Sequence, residues 1–306
     1  GFGGSPALST TEEWNRSANV ITAGAWAAGG SLATTRSYLG GCGTQTAALA
    51  FGGGPAPQNH SEEYNGTSWV EGNNLNTARD NFQGCGTQTA GLGAGGYLNP
   101  GTSNATELYN GTSWTTSGTL STPTYNGGVF GIQTAAAIAG GSTGPPGAVT
   151  NVTEHFNGST WTTVPGTLNT DRRTLTVFGI QTAAVGVGGT TGPAVTNSTE
   201  EYNGSVWTAV TNYPLTIQGI GSAGTLTAGL TFGGSPPVTG VTNGYDGTNW
   251  STRPAMGTAR QAVAPASAGT DVLTLAAGGT TGAAVTATEE FTGDTSAVNY
   301  KTITTS

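Results

Sequence analysis

A Gly-Gly pair closes an apolar run seven times along this chain, at Gly3-Gly4, Gly52-Gly53, Gly95-Gly96, Gly140-Gly141, Gly188-Gly189, Gly233-Gly234 and Gly278-Gly279. The intervals are 49, 43, 45, 48, 45 and 45 residues. An aromatic residue returns with the same period, as Trp14, Tyr64, Tyr109, Phe156, Tyr202, Tyr245 and Phe291. Repetition at this spacing means that no unit can bury its apolar face alone, so neighbours must stack on one another. The array fills residues 1–306 without a linker and reads as one domain; the opening at GFGG, without Met, suggests that upstream residues are missing.

Turn signals divide each unit into four short segments. Segment A ends at GTQT or its equivalent. Segment B is the apolar run, such as AALAFGG or AGLGAGG, segment C is TEEY-like, and segment D begins at a tryptophan. Between C and D stands Asn-Gly at Asn65-Gly66, Asn110-Gly111, Asn157-Gly158 and Asn203-Gly204, and Asp-Gly at Asp246-Gly247. These dipeptides accept the positive φ of tight hairpin turns, which accounts for the asparagines without a glycan. EEYNGTSW is therefore a hairpin, and all four segments are strands.

Four-stranded antiparallel units at this period make an all-β chain, a β-propeller. The glycine pair ending B, the aromatic on C, the tryptophan five residues on and the Arg leading into A resemble the kelch motif. The wording GTQTAALAFGG, TEEYNGTSW and LNTAR resembles the kelch-like repeat proteins encoded by tailed bacteriophages. There are seven B and seven C segments but six A segments. Seven blades are favoured over six, because Phe2 to Trp14 carries a complete B-to-C phrase. Ala18 to Trp26 and Val298 to Thr305 break the pattern and are the expected closure segments.

Glutamate recurs two positions before the aromatic, at Glu12, Glu62, Glu107, Glu154, Glu200 and Glu289, with Asn243 the exception. Residues two apart on a strand share a face. Arg36, Arg79, Arg172 or Arg173, and Arg260 are the natural partners, and a Glu-Arg bond between adjacent sheets would set blade registry. Six equivalent carboxylates around a ring do not make a catalytic pair, which needs one asymmetric constellation. Trp69, Trp114, Trp161, Trp207 and Trp250 follow the hairpin so regularly that they read as packing of the outer strand against the next blade rather than as sugar platforms.

The rest of the composition excludes chemistry. The net charge is −8 with only eight basic residues, and no Lys/Arg cluster tracks a phosphate backbone, so no nucleic-acid partner is expected. No apolar run is long enough to insert in a membrane. Two histidines, His60 and His155, in unrelated positions build no metal site. Cys42 and Cys85 occupy one repeat position twice and read as buried free thiols. No catalytic residue, cofactor or metal is expected, and the chain reads as no enzyme.

Strand alternation puts the A-to-B and C-to-D turns on one face and the B-to-C and D-to-A loops on the other. The first face is monotonous and the second varies, and function concentrates in variable loops on a rigid frame. The candidate ligand-binding residues there are His60, Tyr97, Asn99, Asn212 and Tyr213. The resemblance implies a virion structural or appendage protein, a decoration or tail-fibre propeller that meets other virion proteins or a host-surface glycan. A stand-alone glycan-binding propeller is the alternative, and self-association is left open.

Overall fold

The computed structural model describes residues 18–144 and 147–299. It divides into two compact units. One, Gly24–Gly293, carries six four-stranded antiparallel sheets. The other contains a two-stranded antiparallel sheet, Ala18–Thr22 against Thr295–Asn299, with Asn19 opposite Val298. The B-to-C phrase from Phe2 to Trp14, with Glu12, and residues 300–305 lie outside the described residues.

Five sheets are consecutive in the chain, at residues 40–71, 83–116, 128–164, 176–209 and 221–253. These are blades one to five, each running A-B-C-D, and the A strands stand side by side around the ring. Blade six takes Ala264–Pro265, Leu273–Ala277 and Thr288–Thr292 from the C-terminal end. Its outer strand is Ala25–Gly29, from the other end of the chain. Trp26 pairs opposite Phe291 as Trp69 pairs opposite Tyr64 and Trp114 opposite Tyr109.

The ring therefore has six blades, and the expectation of seven is corrected. The reason is physical: the tryptophan missing after Phe291 is supplied by Trp26, so blade six is complete without another unit. Closure of the ring is made by Ala25–Gly29, which overlaps the expected segment Ala18–Trp26 at Ala25 and Trp26 and ties the first strand of the ring to the last. Earlier in that segment, Ala18 and Asn19 pair with Asn299 and Val298, the start of the other expected segment.

Five of the six described tryptophans also reach the blade before their own, Trp250 being the exception. The indole N–H of Trp114 donates to Ser61 Oγ at 2.8 Å, Trp161 to Thr106 Oγ1 at 2.8 Å, and Trp207 to Thr153 Oγ1 at 3.0 Å. Trp69 reaches Thr288 and Trp26 reaches Thr242 in the same way. The glutamine of the A-to-B turn makes a second clip. Gln88 Nε2 donates to Ala48 O and Tyr64 O, and Gln133 Nε2 to Gly91 O and Tyr109 O, again in the preceding blade. The repeated TQT is thus a joint between sheets.

A third contact pairs side chains that vary together. Tyr64 O–H donates to Glu290, Tyr109 to Glu63 and Tyr245 to Glu201, each in the preceding blade. Burial, and then the Glu290 carboxylate, push the Tyr64 phenol up to about 12. Where the aromatic is Phe156, without a hydroxyl, the facing residue is Leu108. Tyr202 meets His155 Nε2 at 2.9 Å, and burial lowers the His155 pKa. Below its unfolded-chain pKa of roughly 6.5 the native histidine binds fewer protons than the unfolded one, so stability falls as pH drops through that value. Denaturant midpoints are expected to decline on acidification. Replacing the pair by His155→Leu with Tyr202→Phe, the arrangement of Leu108 and Phe156, should flatten the decline.

Candidate functional site at the ring axis

Four arginines are fully buried, and the frame takes up both terminal nitrogens of each while leaving Nε without a hydrogen bond among the described residues. Arg36 Nη2 donates to Glu62 Oε1 at 2.7 Å, Arg79 to Glu107 at 2.9 Å, Arg172 to Glu200 at 2.6 Å and Arg260 to Glu289 at 3.0 Å. Nη1 of each bridges two carbonyls at the ends of strands B and C, Gly52 and His60 in the case of Arg36. Desolvation of the guanidinium lowers its pKa and the carboxylate raises it again.

The pair does not link two sheets as expected. Each Arg lies on the connection entering a blade and its Glu on that blade's own C strand; Glu62 Oε2 also accepts from Ala33 N, on the same connection. The bond clamps the incoming crossover to the blade it enters.

Blades three and five show what this clamp needs. The residue opposite the Glu is small in all four Arg blades: Ala50, Gly93, Gly186 and Ala276. In blade three it is Ile138, Thr124 replaces the Arg, and among the described residues Glu154 is held by the N–H groups of Ser121 and Thr122 alone. In blade five Ile217 replaces the Arg, and Asn243 Nδ2 donates to the Tyr213 hydroxyl, Oη, at 2.7 Å.

Tyr213 is therefore not a surface ligand residue. It is 1% exposed and stands four residues before the Arg position, where the other connections carry Leu32, Leu75, Leu120, Leu168 and Met256. Its ring meets Trp250 edge-on, whose indole N–H turns to Thr211 O, leaving the buried Thr199 Oγ1 without a partner.

The other four sequence candidates do not converge. His60 is half-exposed, with Nδ1 3.7 Å from Glu71 Oε1. Asn99 and Asn212 are exposed on loops of different blades. Tyr97 alone stands near the axis, its ring 5.8 Å from that of Tyr125.

What the structure does bring together is the pair of residues following each Arg position. The second of each pair, Tyr38, Asn81, Asn126, Thr174, Gly219 and Ala262, has φ between 53° and 64°. Each donates its backbone N–H to the carbonyl of its counterpart in the preceding blade, Tyr38 to Ala262 and so on round, at 2.7 to 3.0 Å. Six bonds close a circle around the axis. A left-handed conformation costs a non-glycine residue roughly 1–2 kcal/mol, and such strain gathers at functional sites. Five of the six non-glycine residues with positive φ among the described residues are in this circle.

The first residue of each pair forms an outer circle through a two-way backbone bridge to the residue after Gly-Gly. These are Ser37 with Gly54, Asp80 with Tyr97, Tyr125 with Ser142, Arg173 with Thr190, Gln218 with Ser235, and Gln261 with Thr280. Above the inner circle lies a depression of about 420 Å³, lined by Tyr38, Asn81, Asn126, Arg173, Thr174, Thr190, Gln218 and Gln261. Below it the space narrows to about 40 Å³ between Leu39, Phe82, Ile220 and Val263. Gln83 links blades two, three and four there, donating from Nε2 to Leu175 O at 3.0 Å and accepting from Val129 N at 3.3 Å. The depression is blind, polar and asymmetric, with volume in the range of small-ligand sites.

The sequence carried a signal for it. The clamp positions repeat, while the two positions after them read Ser-Tyr, Asp-Asn, Tyr-Asn, Arg-Thr, Gln-Gly and Gln-Ala. Chemical variety inside a recurring frame marks these pairs. The two thiols, by contrast, are inert: both are buried and free, and burial pushes Cys85 up to about 12.

No protein-family model matches the chain, and no curated protein matches it. Among solved structures it is similar to one titled "Structure of YjhT", with TM-score 0.70 and 12% identity, over 84% of this chain and 95% of that one. This chain is a six-bladed β-propeller. At that identity the likeness concerns the propeller fold alone, and what the axial depression of this propeller does must come from its own residues.

Proposed function

We propose that this propeller is a non-enzymatic appendage or decoration protein of a phage virion, presenting its B-to-C and D-to-A loop face for contact with the host surface. The observation that carries the reading is the division of labour around the ring. The repeated charges are consumed in clamps between chain segments, and the varied polar side chains collect in the axial mouth. The wording shared with phage-encoded kelch-like repeats supports placement on a particle, where the opposite face of uniform TQT and NGTS turns is the one available to other virion proteins. Imaging of purified particles tests this. Symmetric copies on capsid or tail with the axial mouth outward are expected; particles without the chain would refute a virion role.

A further inference from the structure

Among the described residues, Arg173 is the one arginine that lines the mouth, and no side-chain bond of the described fold uses its guanidinium. Arg36, Arg79, Arg172 and Arg260 are locked in clamps. Arg253 lies along the outer strand of blade five, its Nε within 2.8 Å of where a Cβ on Gly244 would sit. The side chain of Arg173 makes no hydrogen bond or ion pair among the described residues, although it is partly buried beside its neighbour Thr190. The equivalent positions in other blades carry Ser37, Asp80, Tyr125, Gln218 and Gln261, so the ring does not require a cation there.

A partly buried arginine without a counter-charge or hydrogen-bond partner has its planar fork of donors free for an anion in the depression. The side-chain amides of Asn126 and Gln218 in the same lining are also without partners among the described residues. They and the Tyr38 phenol offer donors and acceptors suited to hydroxyl groups. The carboxylate in the outer circle, Asp80, is held by Asn81 Nδ2 at 2.8 Å and stands two blades from Arg173.

We propose that the axial mouth binds the acidic end of a polyhydroxylated ligand. Arg173 takes a carboxylate or phosphate through its planar fork, and Asn126, Gln218 and Tyr38 take the hydroxyls. The floor formed by Gln83 and the collar beneath it means that a chain end enters, rather than a chain passing through. This deepens, and rests on, the reading of the loop face as the contact face.

Calorimetric titration of the full chain with glucuronate, glucose 6-phosphate and glucose tests it. At least one acid is expected to bind, roughly tenfold or more tighter than glucose, as suits a charge-assisted pair; which acid binds tells carboxylate from phosphate sources. Arg173→Gln should bring acid binding down to the level of glucose without moving the unfolding midpoint, and Arg173→Lys should fall between. Equal affinity for glucose, no binding of either acid, or unchanged binding by Arg173→Gln overturns the assignment. Host adsorption that is lost in Gln218→Ala with Gln261→Ala but unaffected by Arg173→Gln overturns the acid's role and leaves the loop-face reading standing. Adsorption unaffected by all three substitutions overturns that reading itself.

Discussion

Arg79→Ala is expected to cost about 3–5 kcal/mol of stability, the usual effect of removing one partner from a buried ion pair. Arg79 and Glu107 are both almost wholly inaccessible, and the guanidinium also bridges Gly95 O and Ala105 O and lies 5.0 Å from the centre of the Phe82 ring. Without it, Glu107 keeps the N–H of Asn76 and loses its counter-charge. Arg79→Ala with Glu107→Ala should therefore be less destabilised than the two single changes added together, because the stranded carboxylate is gone. Urea midpoints of the four proteins measure the coupling. Blade five shows that a neutral solution exists, but it needs Tyr213, Asn243 and Thr231 in concert. Thr124→Arg in blade three should accordingly fail to build a clamp unless Ile138 is reduced to Ala.

Trp26→Ala is expected to cost about 3 kcal/mol, near the low end for removing a large aromatic side chain because the ring is only partly buried. The indole lies 5.1 Å from Phe232 and 5.2 Å from Phe291, and its N–H donates to Thr242 Oγ1 at 3.0 Å. It joins blade five to blade six through a strand from the other end of the chain, so its loss also weakens ring closure. The melting temperature, read by near-ultraviolet circular dichroism, should drop by several degrees. A change no larger than that of an ordinary surface substitution, within about 0.5 kcal/mol, would mean that Ala25–Gly29 does not close the ring.

Strand class, blade architecture and the hairpin role of EEYNGTSW were legible because each rests on local chemistry: Asn-Gly turns, glycine pairs, and residues two apart on one face. The blade number was not legible from counting. Trp14 and Trp26 both stood near the expected closure, and only the pairing of Trp26 with Phe291 decides which completes blade six. The partner of Glu62 was legible, but not that the bond would act within a blade, since a strand face does not say which connection lies over it. The site was largely missed because variety was sought in the long loops after Gly-Gly. Tyr213 looked like a loop residue, yet its offset of four from the Arg position places it in the leucine series. The mouth residues hide in pairs directly after the clamp position, which holds Arg in four blades of six.

The central claim is that repeated residues build the frame and the varied axial pairs make the contact. Hydroxyl-radical footprinting of the chain, with and without isolated host-surface polysaccharide, tests this most directly. Tyr38 in the lining and Tyr97 and Tyr125 in the outer circle around it report on the mouth, and the exposed Ile132, Ile180 and Val206 report on the opposite face. Protection of the three tyrosines, with unchanged oxidation of the isoleucines and Val206, is the result the account predicts. Protection of Ile132, Ile180 and Val206 with the tyrosines still oxidised would contradict it.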